Sequence, residues 1–178
     1  MLKCLKSSFN NRIVHNKELV NNKIMSVIDN IVSEHKSKIG TISCSSKWIT
    51  IDQKIINSFA DVTMDHQFIH LDANRALKET PFGSTIAHGF LILSLSTKFF
   101  FEAIPPIKNE KMGINYGFNK VRFVHPVKSD DKIRGVFKLK DVSKRSDKEI
   151  LFCHDLTIEI NNITKPAVVC EWLNLSIL

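Results

Sequence analysis

Five residues able to move protons or bind cations fall within the stretch DVTMDHQFIHLD, residues 61–72: Asp61, Asp65, His66, His70 and Asp72. The rest of the chain is rich in Lys, Asn, Ser and Ile, so this density asks for a reason. A carboxylate and an imidazole that share one water can take a proton from it and return a proton elsewhere. Asp65, His66 and His70 could instead be imagined as ligands of a zinc ion, but the spacing is not that of an HExxH helix and supplies no distant third ligand. No metal is therefore expected. The plain alternative is a polar loop, in which Asp61 ends a helix, Asp72 caps the next one, and His66 faces away from Asp65.

A second stretch stands about twenty residues further on. TIAHGFLILSLSTKFFFEAIPP, residues 85–106, is apolar on every side before it stops at Pro105 and Pro106. The unbroken run is shorter than the ~20 residues a membrane span needs, and His88, Lys98 and Glu102 bracket or interrupt it. A helix of this kind must be buried all round in a globular protein. Its first turn contains Gly89, whose N–H belongs to the unpaired donors of a helix start and sits at the positive end of the dipole. Lacking a side chain, Gly89 would let a ligand come close to that donor.

Other elements must wrap the helix and place the polar stretch beside it. MSVIDNIVSEHKSKIG predicts an amphipathic helix on Val27, Ile28, Ile31 and Val32, stopped at Gly40. Trp48, Ile49 and Ile51 read as a short strand. Asp52 caps a helix carrying Ile55, Ile56 and Phe59, and Asp72 caps a short one, ANRALKET, barred by Pro81. Four segments then read as strands: INYGFNKVRFVHPV, KIRGVFKLKDV, EILFCHDLTIEI and PAVVCEWLNLSI. In the second, Ile133, Phe137 and Leu139 share one face while Arg134, Lys138 and Lys140 share the other. SKRSDKE and NNITK read as hairpin turns. His125 and His154 lie in strands as tolerated polar positions. The order predicts an α+β fold, one antiparallel meander curled around a long buried central helix.

The 178 residues suit one domain with a real core. The formal charge of +7 could serve nucleic acid, anionic lipid or a phosphate-bearing small molecule. A single Tyr, twelve Phe that mostly lie in apolar runs and no helix-turn-helix, finger or RNA-binding signature speak against nucleic acid. Cys4, Cys44, Cys153 and Cys170 form no CxxC pair and read as small hydrophobes in a reducing compartment, so the cytoplasm is expected. Residues 1–24 are basic and hold no acid before Glu18. They read as a loose extension, with a mitochondrial presequence and a matrix location as the alternative. The domain is then residues 25–178, with Met25 as a second possible start.

DHQFIHLD followed by PFGSTIAHGFLILSLS resembles the MaoC-like dehydratases, which include the R-specific enoyl-CoA hydratases. Asp65 and His70 match that family's acid and base at its spacing, Phe82-Gly83 its loop, and Ala87-His88-Gly89 its helix start. Gln67-Phe68 stands where the family usually has Asn-Pro, a variant similar to the nodulation-protein-N branch. NYGFNKVRFVHPV, KIRG and KPAVVCEWL extend the resemblance over about residues 26–178. It implies a hot-dog fold and a hydro-lyase of fatty acid metabolism that adds water reversibly to a trans-2-enoyl thioester, giving an R-3-hydroxyacyl thioester. It implies catalysis by Asp65 and His70, with Gly89, His88, Gln67 and Gly83 at the oxyanion and substrate positions. No cofactor is implied; coenzyme A or acyl carrier protein would be the thioester carrier, and the chain would pair as a homodimer. A hot-dog thioesterase or a catalytically silent acyl-binding module remain the alternatives.

Overall fold

The computed structural model describes residues 27–41 and 43–178, so the expected extension of residues 1–24 lies outside the described residues. Helix α1, Val27–Lys36, buries Ile28 and Val32 against Val142, Ile150 and Phe152. Gly40 reverses the chain at φ +71°, and its N–H bonds Leu139 O at 2.9 Å, tying the turn to the sheet. Two short strands follow, β1 (Ser43–Ser45) and β2 (Ile49–Ile51). Helix α2, Gln53–Thr63, is capped by the Asp52 carboxylate, which accepts from Ile55 N–H at 2.9 Å. It buries Ile56 and Ala60 and ends at Met64 in the left-handed region. Helices α3 (Phe68–Leu71) and α4 (Ala73–Glu79) come next, and Asp72 caps the second through Arg75 N–H at 3.0 Å. Both expected caps are present.

The apolar stretch differs from expectation in two ways. It forms two helices, α5 (Gly89–Ser94) and α6 (Ser96–Ala103), divided at Leu95. Ser94 and Ser96 hydroxyls donate to the carbonyls of Leu91 and Leu93 at 2.7 and 2.6 Å, a back-bonding that bends helices. The stretch is also not buried all round. Leu91, Ile92 and Phe99 are buried, while Phe90 and Phe101 are 70% and 73% exposed.

The sheet has six antiparallel strands among the described residues: β1 and β2, then β3 (Met112–Phe123), β4 (Asp131–Lys144), β5 (Glu149–Ile160) and β6 (Ile163–Ile177). β4, β5 and β6 follow one another as hairpins, and Asn162 supplies the positive φ of the second turn. β3 departs from a meander: it lies beyond β6, at the far edge, and ends at Phe123, leaving His125 in the connection to β4. β1 and β2 lie one after the other along β4 at the other edge. The alternation in β4 and β5 holds, with a register shift between Leu139 and Asp141 that returns Val142 to the buried side. His154 is buried too, on the face of β5 that carries Phe152 and Leu156. Helix α6 sits close on β4 because Gly135 has no side chain; a Cβ there would stand 2.7 Å from Phe99 Cβ. Ile51, Phe99, Phe137, Leu156 and Trp172 form the centre of the main core. No described helix is long and apolar enough to cross a membrane.

Candidate active site

The turn at Met64 (φ 59°) throws Asp65 outward, where its carboxylate accepts weakly from Gln67 N–H at 3.4 Å. Helix α3 then turns His70 inward, leaving it 7% exposed. His70 Nδ1 lies 2.7 Å from Ile86 O. A carbonyl only accepts, so Nδ1 carries the hydrogen and Nε2 keeps a free lone pair. The backbone reinforces this contact, since Ile86 N–H donates to Ile69 O at 3.0 Å.

Gln53, which the sequence reading passed over, braces the same point. Its amide nitrogen donates to His70 O at 2.7 Å and its amide oxygen accepts from the buried Thr85 hydroxyl at 2.6 Å. A polar residue at the start of a helix gives no signal of contacts 17 and 32 residues away. Burial, the largest influence, pushes the His70 pKa below its usual 6.5. The bond to Ile86 opposes this, His88 adds to it, and Asp65 opposes it.

His88, just before α5, is 4% exposed. Its Nε2 donates to the backbone carbonyl of Asp65 at 3.0 Å and lies 4.0 Å from the Asp65 carboxylate. The ring stacks on His70 at 3.6 Å between centroids and 25° between planes, and Phe59 packs 5.1 Å away. Potential ligand atoms of Asp65, His70 and His88 all lie within 4.8 Å of one another. The grouping that could hold a cation thus contains His88 in place of His66. His66 pairs instead with Asp61, Nε2 to Oδ1 at 3.0 Å, in the open.

Gly89 is the first residue of α5, as its expected donor position requires. The space its missing side chain leaves is already taken: a Cβ would stand 2.9 Å from Phe123 Cδ1 and 3.0 Å from Cε1. A cavity of about 240 Å³ flanks Gly89, lined by Phe82, Ile86, Phe123 and Val127 among others. Gly83 occupies an exposed turn at φ +70° with nothing within 4 Å of where a Cβ would be, so it serves backbone conformation. Gln67 is exposed at the start of α3, and its side chain makes no cap bond. A larger cavity, about 490 Å³, lies under α6, and Asp65 and His70 do not line it.

A family model described as MaoC like domain matches residues 34–158. Nodulation protein N of Rhizobium meliloti (strain 1021) is 46% identical over 142 residues, which are 80% of this chain and 88% of that protein. The 3-hydroxyacyl-thioester dehydratase Z of Mycobacterium tuberculosis (strain ATCC 25618 / H37Rv) is 41% identical over 126 residues, 71% of this chain and 82% of that one. Among solved structures, the (R)-hydratase from A. caviae matches with a TM-score of 0.56 at 22% identity, covering 75% of this chain and 92% of its own. That likeness speaks for the fold, which is the hot-dog fold, with α5 and α6 as its central helix.

Proposed function

The chain belongs to the family of MaoC-like domains, and from that premise we propose that it adds water reversibly to a trans-2-enoyl thioester to give an R-3-hydroxyacyl thioester. The observation that carries this reading is the state of His70: a buried, neutral imidazole whose Nδ1–H is committed to Ile86 O, leaving Nε2 as a base beside the Asp65 carboxylate. Both groups bear on one water. As its oxygen bonds to the β carbon, its proton passes to the pair, and the pair delivers a proton to the α carbon. Such acid–base help is typically worth ~10²–10⁴-fold. His88 holds the Asp65 loop in place through the backbone carbonyl and supports His70 from behind.

Negative charge gathers on the thioester oxygen as the bond forms. The Gly89 N–H at the start of α5 is the donor for it, in a setting where losing one such donor costs ~10²–10³-fold. The proposed chemistry uses no cofactor. Its carrier is coenzyme A or acyl carrier protein, and a net charge of +7 suits the phosphates or acidic surface that either brings. Three described cysteines are free thiols, in keeping with a cytoplasmic setting.

The functional unit we propose is a homodimer. β3 is a twelve-residue edge strand that exposes Met112, Ile114, Tyr116 and Phe123, a surface proteins usually cover. The test of the activity is loss of enoyl absorbance from crotonyl-CoA. Release of free thiol instead would identify a thioesterase, and no change in either signal would leave an acyl-binding module.

A further inference from the structure

Helix α3 is a single turn, Phe68–Leu71, too short to hold His70 by itself. The last carbonyls of a helix have no partner within it. The His70 carbonyl is one of these, and Gln53 of α2 supplies its donor from outside. The Gln53 amide puts both hydrogens and its oxygen to use. One hydrogen goes to His70 O at 2.7 Å, the other to Asn57 Oδ1 at 2.8 Å, and the oxygen accepts from the Thr85 hydroxyl at 2.6 Å. The amide cannot be turned over, because its oxygen would then face the His70 carbonyl, which only accepts. Thr85 is 1% exposed and is itself fastened. Its carbonyl accepts from Ser129 N–H at 3.0 Å, and Ala87 N–H donates to Val127 O at 2.7 Å. Between them lies Ile86, whose carbonyl takes the His70 Nδ1–H. The bonds therefore close a ring that runs from the His70 carbonyl through Gln53, Thr85 and Ile86 to the His70 imidazole.

Resting on the hydratase reading above, we propose that Gln53 and Thr85 are positioning residues: their link fixes the tautomer of His70 and so keeps its basic nitrogen at Nε2. Burial favours a neutral ring but does not choose which nitrogen bears the hydrogen. The bond to Ile86 O makes that choice. It survives only while the His70 backbone stays at a set distance from residues 85 and 86. One backbone tie maintains that distance, from Ile86 N–H to Ile69 O at 3.0 Å. Gln53 with Thr85 is the second, reaching the opposite side of the same segment. With one tie the short helix pivots; with two it is held. Once it pivots, Nδ1–H parts from Ile86 O and the hydrogen is free to sit on Nε2. A ring in that form has no lone pair left for the proton of the attacking water. Neither Gln53 nor Thr85 moves a proton in this scheme; both act through His70.

The test uses the full chain with isotopically labelled nitrogen. Gln53→Met keeps the length of the side chain and removes its polar bonds. Thr85→Val keeps the shape and removes the hydroxyl, while Thr85→Ser keeps the hydroxyl. The two substituted positions are separate, so a folding failure at one leaves the other. The His70 ring signals are identified by their loss in His70→Ala, and their nitrogen shifts above the titration of the ring read the tautomer directly. The expected result is the Nδ1–H form in the wild type and in Thr85→Ser, and a population of the Nε2–H form in Gln53→Met and Thr85→Val. In those two, kcat for crotonyl-CoA should fall ~10- to 10²-fold, the scale of a misplacement of about 1 Å, with KM within a few-fold of the wild type. Thr85→Ser should recover most of the kcat lost in Thr85→Val. Bonds that served stability alone would lower the melting temperature and leave the tautomer of the folded protein unchanged. An unchanged tautomer in both variants, mixed tautomers in the wild type, or an altered tautomer with normal kcat would overturn the proposal. The spectra need no substrate, so a wild type that fails to hydrate crotonyl-CoA counts against the hydratase reading while the tautomer still decides the role of Gln53 and Thr85.

Discussion

Gly89→Ala separates two reasons for a glycine at the start of α5. The backbone N–H survives the change, so the proposed oxyanion donor is not removed chemically. The new methyl, however, would stand 2.9 Å from Phe123 Cδ1. Overpacking of this kind costs about 1–3 kcal/mol, and the lower end applies because Phe123 is 48% exposed and can yield outward. If α5 yields instead, its first N–H moves, and a displacement near 1 Å can cost about 10²-fold in rate. Gly89→Ala should therefore lower kcat/KM for crotonyl-CoA by ~10- to 10²-fold with a small loss of melting temperature. Phe123→Ala opens the space, and the double variant Gly89→Ala/Phe123→Ala should recover to within a few-fold of Phe123→Ala alone. Melting curves and kcat/KM on the three variants decide it. A double variant as slow as Gly89→Ala would refute the reasoning and show that the ligand itself needs the bare Cα. Full activity in Gly89→Ala would remove Gly89 from the site.

Asp65→Asn and His70→Ala should each remove most of the crotonyl-CoA hydration rate, by ~10²–10⁴-fold, and the double variant should be scarcely slower, since groups acting as a unit give non-additive losses. His66→Ala should keep substantial activity, because His66 pairs outward with Asp61. Acid stability should carry the mark of His154. Its folded pKa of about 4 lies below the 6.5 of the free side chain, so within that window the unfolded chain binds the proton and the folded one does not. The stability of the neutral ring is complete above 6.5 and is lost as pH falls toward 4, by about 3 kcal/mol. His154→Phe should flatten the pH dependence of denaturant midpoints across that window; an unchanged slope would mean the ring reaches water when charged. Light scattering at micromolar concentration should give twice the chain mass, and a stable monomer would leave the β3 edge unexplained.

The sequence pattern disclosed what hydropathy can carry. Ile133, Phe137 and their alternating partners made β4 legible, and Asp52 and Asp72 announced their helices because a cap acts within three residues. β1 went unread, since Ser43, Cys44 and Ser45 owe their strand to pairing with Val136, Phe137 and Lys138, far away in sequence. The place of β3 beside β6 is likewise a matter of order in space, on which local alternation is silent. The division at Leu95 was hidden because Ser94 and Ser96 look neutral in an apolar run and act through the carbonyls three residues back. In the candidate site, the spacing of Asp65 and His70 was visible. The stack of His70 on His88, the brace from Gln53 and the filling of Gly89's space by Phe123 all join segments that only the fold brings together.

The division at Leu95 has a consequence for how such a protein can change. A continuous helix is a stiff lever: turning one end to suit a new side chain turns the other. Here the lever is jointed. Thr97, Phe100 and Ile104 belong to α6 and shape the large cavity, whereas Gly89 belongs to α5 and is wedged against Phe123. Substitutions in α6 can tilt or slide that segment over β4 while the joint absorbs the movement before it reaches Gly89. New shapes of that cavity are then open to small mutational steps that leave Gly89 in register, and variation should gather on the α6 side of the joint.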